Sequence, residues 1–123
     1  MKANTAKSKK AKGKRLEHKI ASMIRSMGLD DKARAMIGSG AFDNYKGDIY
    51  APDVPLIFEA KNNENHSIWK EWEQAKNQER PLKPGCLVIS GNNRPILAVV
   101  EIETLLNMLL EIKQLGEMNA ENT

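Results

Sequence analysis

Three charged residues in the segment GDIYAPDVPLIFEAK, residues 47–61, have types and spacings that could form a metal-dependent hydrolytic site. Asp48 lies at the head of one short strand-like run, and Glu59 and Lys61 end the next one. Side chains two apart on a strand share a face, so Glu59 and Lys61 should project together, and a hairpin would bring Asp48 towards them. Two converging carboxylates repel each other unless a cation lies between them, and oxygen ligands without His or Cys favour Mg²⁺ or Mn²⁺. Lys61 would then orient or deprotonate a water, or neutralise the charge that develops on a phosphate.

The same residues have a simpler explanation, in which Asp48 or Glu59 pairs with Lys61 at the edge of a sheet. Short patterns of this kind recur by chance. A further acid, Glu17, lies on a predicted helix at the border of its apolar stripe, so its carboxylate should point towards the sheet. Glu17 could instead reach solvent or pair with Lys14. The residues alone leave these alternatives open.

The elements that must position these side chains follow an α-β-β-β-α-β-β-α order. Apolar residues at helical spacing predict helices, and short apolar runs bounded by turn residues predict strands. The helices are expected over residues of about 13–27, 66–79 and 101–115, and the strands over 33–37, 47–51, 55–61 and the two halves of GCLVISGNNRPILAVVEI. This order predicts a mixed sheet with flanking helices.

Composition limits the class of protein. The chain has 123 residues, 41% of them hydrophobic and 28% charged, which is typical of a single soluble domain. No apolar run approaches the roughly 18 residues that would span a bilayer, and the lysine-rich N-terminus does not resemble a signal peptide. The single cysteine, Cys86, excludes an internal disulfide and a cysteine-cluster zinc site. We therefore expect a cytoplasmic protein with no membrane partner, in which Cys86 is a small buried hydrophobe.

The positive charge is concentrated at the N-terminus. Residues 1–19 carry eight Lys or Arg and one acid, a net charge of +7, whereas the other 104 residues carry a net charge of −4. We expect a flexible basic arm over residues 1–12, one domain over 13–115 and a flexible C-terminus over 116–123. The arm is either a solubilising tail or a phosphate-binding segment. If it binds DNA, the candidate contacts are Lys9, Lys10, Lys12, Lys14 and Arg15.

The arrangement resembles the PD-(D/E)xK nuclease superfamily and, within it, the archaeal-type Holliday junction resolvases. The resemblance covers residues of roughly 12–100 and is carried by Gly13 and Glu17, GSG at 38–40, Gly47-Asp48 and Glu59-Ala60-Lys61. It implies an α/β fold with a restriction-endonuclease-like αβββαβ core, a mixed central sheet and flanking helices. It also implies a divalent metal ion and hydrolysis of DNA phosphodiesters.

Position by position, the resemblance implies that Asp48 and Glu59 bind the metal ion, with the Ala60 carbonyl as a further ligand. Lys61 is then the catalytic lysine. Glu17 is the helix-borne acid that completes the site through the metal ion or a water.

The resemblance also implies that Ser39 lies near the active site. The sequence departs from the family pattern in two places. Gly47 replaces the proline of the superfamily name, and the segment before Asp48 is longer than in a typical resolvase.

These observations predict a Mg²⁺-dependent or Mn²⁺-dependent endonuclease that acts on DNA, with branched or four-way-junction DNA as the expected substrate. Two matched cuts require two active sites, so we expect a homodimer. Leu105, Leu109 and Ile112 form one stripe on the last predicted helix, and this stripe either contributes to the dimer interface or packs on its own sheet. The alternatives are a phage or mobile-element nuclease acting on flaps, ends or single strands, and a catalytically silent DNA-binding protein.

Overall fold

The computed structural model describes residues 6–36 and 47–121 of the chain, with side chains from residue 10 onward in these ranges. Its elements follow the predicted order and thus confirm the α/β class. The elements are α1 (Ala6–Ser26), β1 (Arg34–Ala35), β2 (Ile49–Tyr50), β3 (Ile57–Asn62), α2 (Ile68–Lys76), β4 (Gly85–Ser90), β5 (Leu97–Val99) and α3 (Ile102–Glu121).

The central sheet has the strand order β3-β4-β5 and is mixed. Strands β3 and β4 are parallel, and α2 forms the crossover between them, whereas β4 and β5 are antiparallel. In this register Glu59 lies opposite Leu87, and Lys61 lies opposite Ile89, near the C-terminal ends of both strands. β3 is an edge of this sheet, so one side of its backbone is available for other contacts.

Helices cover both faces of the sheet, because the strands carry apolar residues on each face. Helix α1 packs its apolar stripe on one face, in a core cluster that includes Leu16, Ile20, Ile24, Phe58, Ala60, Cys86 and Val88. The alternate strand residues Ile57 and Leu87 are buried as well, together with Ala75 of α2. Gly85 permits the close packing of α2, since a Cβ there would lie 2.5 Å from the Ala75 carbonyl oxygen. The site residues of β3 are therefore held between two helices.

Cys86 is buried in this core, as its apolar neighbours predict. Its exposed fraction is 1%. Burial disfavours the thiolate and raises the pKa of the Cys86 thiol to about 11. Cys86 therefore behaves as a small hydrophobic side chain in the folded protein.

A buried aspartate joins the end of α1 to the turn before β3. Asp30 accepts hydrogen bonds from the backbone N–H groups of Lys32 and Asp53, both at 2.8 Å, and Lys32 Nζ reaches Asp53 at 2.8 Å. Burial alone would raise the pKa of Asp30, but these donors and the Lys32 charge outweigh it, so the pKa is lowered. The turn that contains Asp53 is thus tied to the segment that follows α1.

The predicted hairpin of residues 47–61 is only partly correct. Strand β2 pairs with β1 in a separate two-stranded antiparallel sheet. The Asp48 N–H, just before β2, donates to the Phe58 carbonyl oxygen at 2.8 Å, but β2 and β3 belong to different sheets and form no regular ladder. The proline-containing turn between β2 and β3 is held by Asp30, which accepts a hydrogen bond from the Asp53 N–H. The two strands are therefore brought together without a full ladder.

Both ends of the described chain are more helical than the sequence predicts. Residues 6–12, assigned to a flexible arm, form the first turns of α1. Alanine and lysine are good helix formers, and Lys12 is held by an ion pair with Glu64 at 3.6 Å and by Asn62, which donates to its carbonyl oxygen at 3.0 Å. At the other end α3 continues to Glu121, so residues 116–121 are helical as well. None of the helices in the described ranges is long and apolar enough to cross a membrane.

Candidate active site

The predicted site residues meet beside the free edge of β3. Lys14 and Glu17 come from α1, Asp48 lies just before β2, and Glu59 and Lys61 come from the second half of β3. The charges of these side chains influence one another, since Asp48 affects the pKa values of both Glu17 and Glu59. Segments distant in sequence therefore bring three acids and two lysines together.

Asp48 is fixed by three hydrogen bonds. Its N–H donates to the Phe58 carbonyl oxygen at 2.8 Å, and its carbonyl oxygen accepts from the Met36 N–H at 2.9 Å. Its Oδ2 accepts from the Ala60 N–H at 2.8 Å. The carboxylate is thus anchored to the edge of β3 through its Oδ2 atom.

Gly47 has a structural reason to replace proline. Its φ is +102°, in the region that favours glycine, and a proline ring fixes φ near −65°. A Cβ at this position would also lie 2.8 Å from Ile57 Cγ2 and 2.9 Å from the Phe58 carbonyl oxygen. The chain can approach β3 this closely only with glycine, so the departure from the superfamily motif helps to position Asp48.

The Ala60 carbonyl oxygen lies on the same side of β3 as Asp48. The N–H and C=O groups of one strand residue point to the same side, and residues two apart share that side. Phe58 and Ala60 both use this side to bond to Asp48, whereas Ile57 donates in the other direction, to the Pro84 carbonyl oxygen at 3.0 Å. The position of Ala60 is therefore compatible with the further ligand that the resemblance implies.

Glu59 and Lys61 form the ion pair of the simpler explanation, but their surroundings are unusual for a stabilising pair. Lys61 Nζ lies 3.6 Å from Glu59 Oε2, and the Glu59 side chain is only 13% exposed. Burial, and next the charge of Asp48, raise the pKa of Glu59 to about 7 in spite of Lys61. An ion pair that mainly stabilised the fold would lower the pKa of its acid. Glu59 is instead largely desolvated and lies near a second acid, and a perturbed carboxyl group of this kind is typical of functional sites.

Glu17 satisfies both of the predicted alternatives at once. It pairs with Lys14 at 3.2 Å, yet its side chain is only 14% exposed and faces the other acids. Burial and the nearby Asp48 charge raise the pKa of Glu17, and burial also raises the pKa of Asp48. Three carboxyl groups thus carry raised pKa values in one small region.

Lys14 has a larger role at this site than its sequence position indicates. Besides its ion pair with Glu17, its Nζ donates to the Met36 carbonyl oxygen at 2.6 Å. The i,i+3 spacing from Glu17 predicts the ion pair. No sequence pattern identifies the bond to Met36, because it joins residues 22 positions apart.

The donor set fits a hard divalent cation. Among residues 6–36 and 47–121, no three acidic, His or Cys side chains are close enough to form a metal site by themselves. Mg²⁺ does not need such a cluster, since it commonly binds one or two carboxylates and completes its shell with water and substrate oxygens. Asp48 and Glu59 supply two such carboxylates, and burial raises the pKa of both. A bound cation would favour their ionised forms.

The other predicted residues differ in how much the structure says about them. Ser39 and the side chain of Lys9 lie outside the described part of the chain. Lys10 and Arg15 are exposed on α1, as a DNA contact requires, whereas Lys12 is partly buried in its ion pair with Glu64. Lys10, Lys14 and Glu17 are spaced by four and three residues, so they share one face of α1 that leads to the site.

Comparison with known proteins identifies a family. A protein-family model described as "Phage putative PDDEXK endonuclease" matches residues 8–121, which is nearly the whole chain. No curated protein and no solved structure matches the chain significantly.

Proposed function

Because the chain belongs to this PDDEXK endonuclease family, we propose that it hydrolyses DNA phosphodiester bonds with a divalent cation, Mg²⁺ or Mn²⁺. One observation carries the proposal. Asp48 and Glu59 are held at one strand edge beside Lys61, and the pKa values of both acids are raised. Such a group of desolvated like charges destabilises the folded protein. An active site that uses a cation would account for its presence.

Asp48 and Glu59 would hold the cation, with the Ala60 carbonyl oxygen as a further ligand on the same strand edge. When bound there, a divalent cation polarises the scissile phosphate and lowers the pKa of a bound water. The Ala60 N–H holds one Asp48 oxygen, so the carboxylate does not need to reorient when a ligand arrives. This preorganisation reduces the cost of reaching the reactive geometry.

Lys61 would contact the reacting phosphate. Its side chain is 28% exposed, so the ammonium group can turn from Glu59 to a non-bridging phosphate oxygen or to the attacking water. In the hydrolysis, the water oxygen bonds to phosphorus as the bond from phosphorus to the 3′-oxygen breaks. One water proton is released, and the 3′-oxygen gains a proton from solvent, which leaves a 3′-hydroxyl and a 5′-phosphate. The positive charge of Lys61 would stabilise the charge that builds on the phosphate oxygens.

Glu17 and Lys14 would support the site from α1. The raised pKa of Glu17 suits a group that orients a water or receives its proton, and the ion pair with Lys14 holds the carboxylate in place. Lys14 and Lys10 on the same helix face would contact backbone phosphates next to the scissile bond, with Arg15 as a contact farther around α1. The basic segment would then be a helical extension of the active site.

For the substrate we propose branched DNA, cut by a homodimer whose two sites act on opposite strands. The described residues form one small domain, which favours recognition of DNA shape over a long base sequence. A second candidate is a nuclease for flaps, ends or single strands, and the phage origin in the description of the matched family favours it.

The proposal predicts cleavage that depends on a divalent cation. Purified protein should cut an end-labelled four-way junction in Mg²⁺ and should not cut it in EDTA, and a linear duplex of the same sequence should be cut more slowly. Cleavage of a flap or single strand with no action on the junction would support the second candidate. Binding to DNA without cleavage of any substrate in Mg²⁺ or Mn²⁺ would contradict the enzyme assignment and leave a catalytically silent DNA-binding protein.

A further inference from the structure

Helix α3 carries a large apolar surface that the described chain does not cover. The helix has 20 residues and none of them is buried. Six large side chains, defined here as the α3 face, are between 42% and 67% exposed: Ile102, Leu105, Leu106, Leu109, Leu110 and Ile112. Single exposed hydrophobic residues are common, but contiguous patches of this size mark interaction surfaces.

Beyond Ile102, the α3 face points away from the described part of the protein. The two residues of α3 that are half-buried are Thr104 and Met108, and they line a cavity of about 300 Å³ with Pro55, Leu82 and Pro84. At 100° per residue, the α3 face covers an arc of roughly 160° on the other side of the helix. Packing on its own sheet, one of the two alternatives from the sequence, therefore does not occur among the described residues.

An isolated helix with such a face is not stable in water by itself. Helical stability in proteins comes chiefly from the packing of an apolar face, rather than from intrinsic propensity. α3 also contains Gly116, which lowers its propensity further. A partner that covers the α3 face would thus explain why the helix persists to Glu121.

The area of the α3 face, together with the neighbouring surface, is close to what a stable dimer interface needs. Half of a helix of this length presents roughly 500 Å². A stable interface needs about 800 Å² per partner. At its N-terminal end the α3 face continues past Ile102 into a cavity of about 480 Å³ that is also lined by Trp69 and Trp72, and Trp69 is 80% exposed. Aromatic side chains at this position supply the type of contact that dominates interface energies.

The charges on α3 are arranged for pairing with a copy of itself. Glu103, Glu111 and Glu121 lie outside the arc of the α3 face, so they do not oppose association of two acidic helices. Within the arc are one cation, Lys113, and one anion, Glu117. A two-fold axis that passes between these positions would set Lys113 of one copy against Glu117 of the other, and the α3 face has no net charge that would oppose association.

We propose that the α3 face, extended by Trp69, is the interface of a two-fold homodimer. This inference identifies the surface through which the homodimer of the proposed function would form. It rests on the proposed function only for the biological role of that dimer. The structural argument depends on α3 and the neighbouring Trp69 surface. The test reads mass, so a monomer would overturn this inference without deciding whether the chain is a nuclease.

Light scattering of the eluting protein should give twice the mass of one chain at micromolar concentration. Leu109→Glu should give a monomer. Leu109→Ala, which does not lower helix propensity, should raise the dimer dissociation constant about tenfold or more. The matched control is Gln114→Glu, which adds the same charge to the same helix outside the α3 face and should remain dimeric. A cooperative thermal transition in each variant shows that the domain is folded.

Two results would overturn the proposal. One is a wild-type monomer at all accessible concentrations, which would assign the α3 face to another protein or to an undescribed part of this chain. The other is a dimer that Leu109→Ala and Leu109→Glu leave intact, which would place the interface elsewhere.

Discussion

Lys61→Ala should lower the single-turnover rate of DNA cleavage in Mg²⁺ by about 10³-fold or more, because it removes the ammonium group that would lie beside the scissile phosphate. The matched control is Lys76→Ala. Lys76 also forms ion pairs, with Glu101 at 2.7 Å, but it lies at the end of α2 that packs near the beginning of β4. DNA binding in Ca²⁺, measured separately, should change little in either variant. Cleavage by Lys61→Ala at the wild-type rate would show that Lys61 has no catalytic role.

Asp48→Asn should cause a loss of the same size through a different step. Asparagine can still accept the hydrogen bond from the Ala60 N–H, so the strand edge should keep its structure. It supplies only a neutral amide where the cation needs a charged oxygen. Asp31→Asn is the control, since Asp31 is 94% exposed and lies outside the site. The comparison separates a loss of metal-dependent cleavage from a general effect of removing one acid.

Glu59→Gln should stabilise the metal-free protein while it abolishes cleavage. The pKa of Glu59 is raised from 4.5 to about 7, so its ionisation costs stability in the absence of a cation. This pKa difference corresponds to an increase of about 1–3 kcal/mol in the free energy of unfolding of Glu59→Gln at pH 8, after allowance for the cost of burying the new amide. Most substitutions destabilise a protein, so an increase in melting temperature from a substitution at a partly buried position would be distinctive.

The sign of the pH dependence follows from the direction of the shift. A raised pKa in the folded state means that the contribution of Glu59 to stability is complete below pH 4.5 and is lost as the pH rises through about 7. In EDTA, thermal unfolding of the wild type should show this loss, and the difference between Glu59→Gln and wild type should grow over the same interval. Glu73→Gln, at an exposed position on α2, should follow the wild type. A difference that stays constant with pH would contradict the electrostatic account.

The sequence predicted the order of the elements well because that order depends on local periodicity. Glu59 and Lys61 share a face through the period of two of a strand, and Glu17 borders the buried stripe of α1 through the period of 3.6. Both patterns can be read in a few consecutive residues. The convergence of these side chains in the structure agrees with that interpretation, and their catalytic roles stay predictions.

The features that the sequence did not predict depend on distant contacts. β2 pairs with β1, although its pattern equally permits a hairpin with β3. Lys14 reaches Met36, and Asp30 reaches the Asp53 N–H, through contacts between separate segments. The length of α1 was underestimated because its charge indicated a flexible arm, whereas Asn62 and Glu64 hold its first turns through Lys12.

The most direct test of the site is calorimetric titration of Mn²⁺ into metal-free protein without DNA. The wild type should bind Mn²⁺ saturably, Asp48→Asn and Glu59→Gln should lose that binding, and Asp31→Asn should retain it. Binding should also release protons near neutral pH, because a cation favours the ionised form of Glu59. If Asp48→Asn bound Mn²⁺ as the wild type does, or if the wild type did not bind it, then Asp48 and Glu59 would not be the metal site.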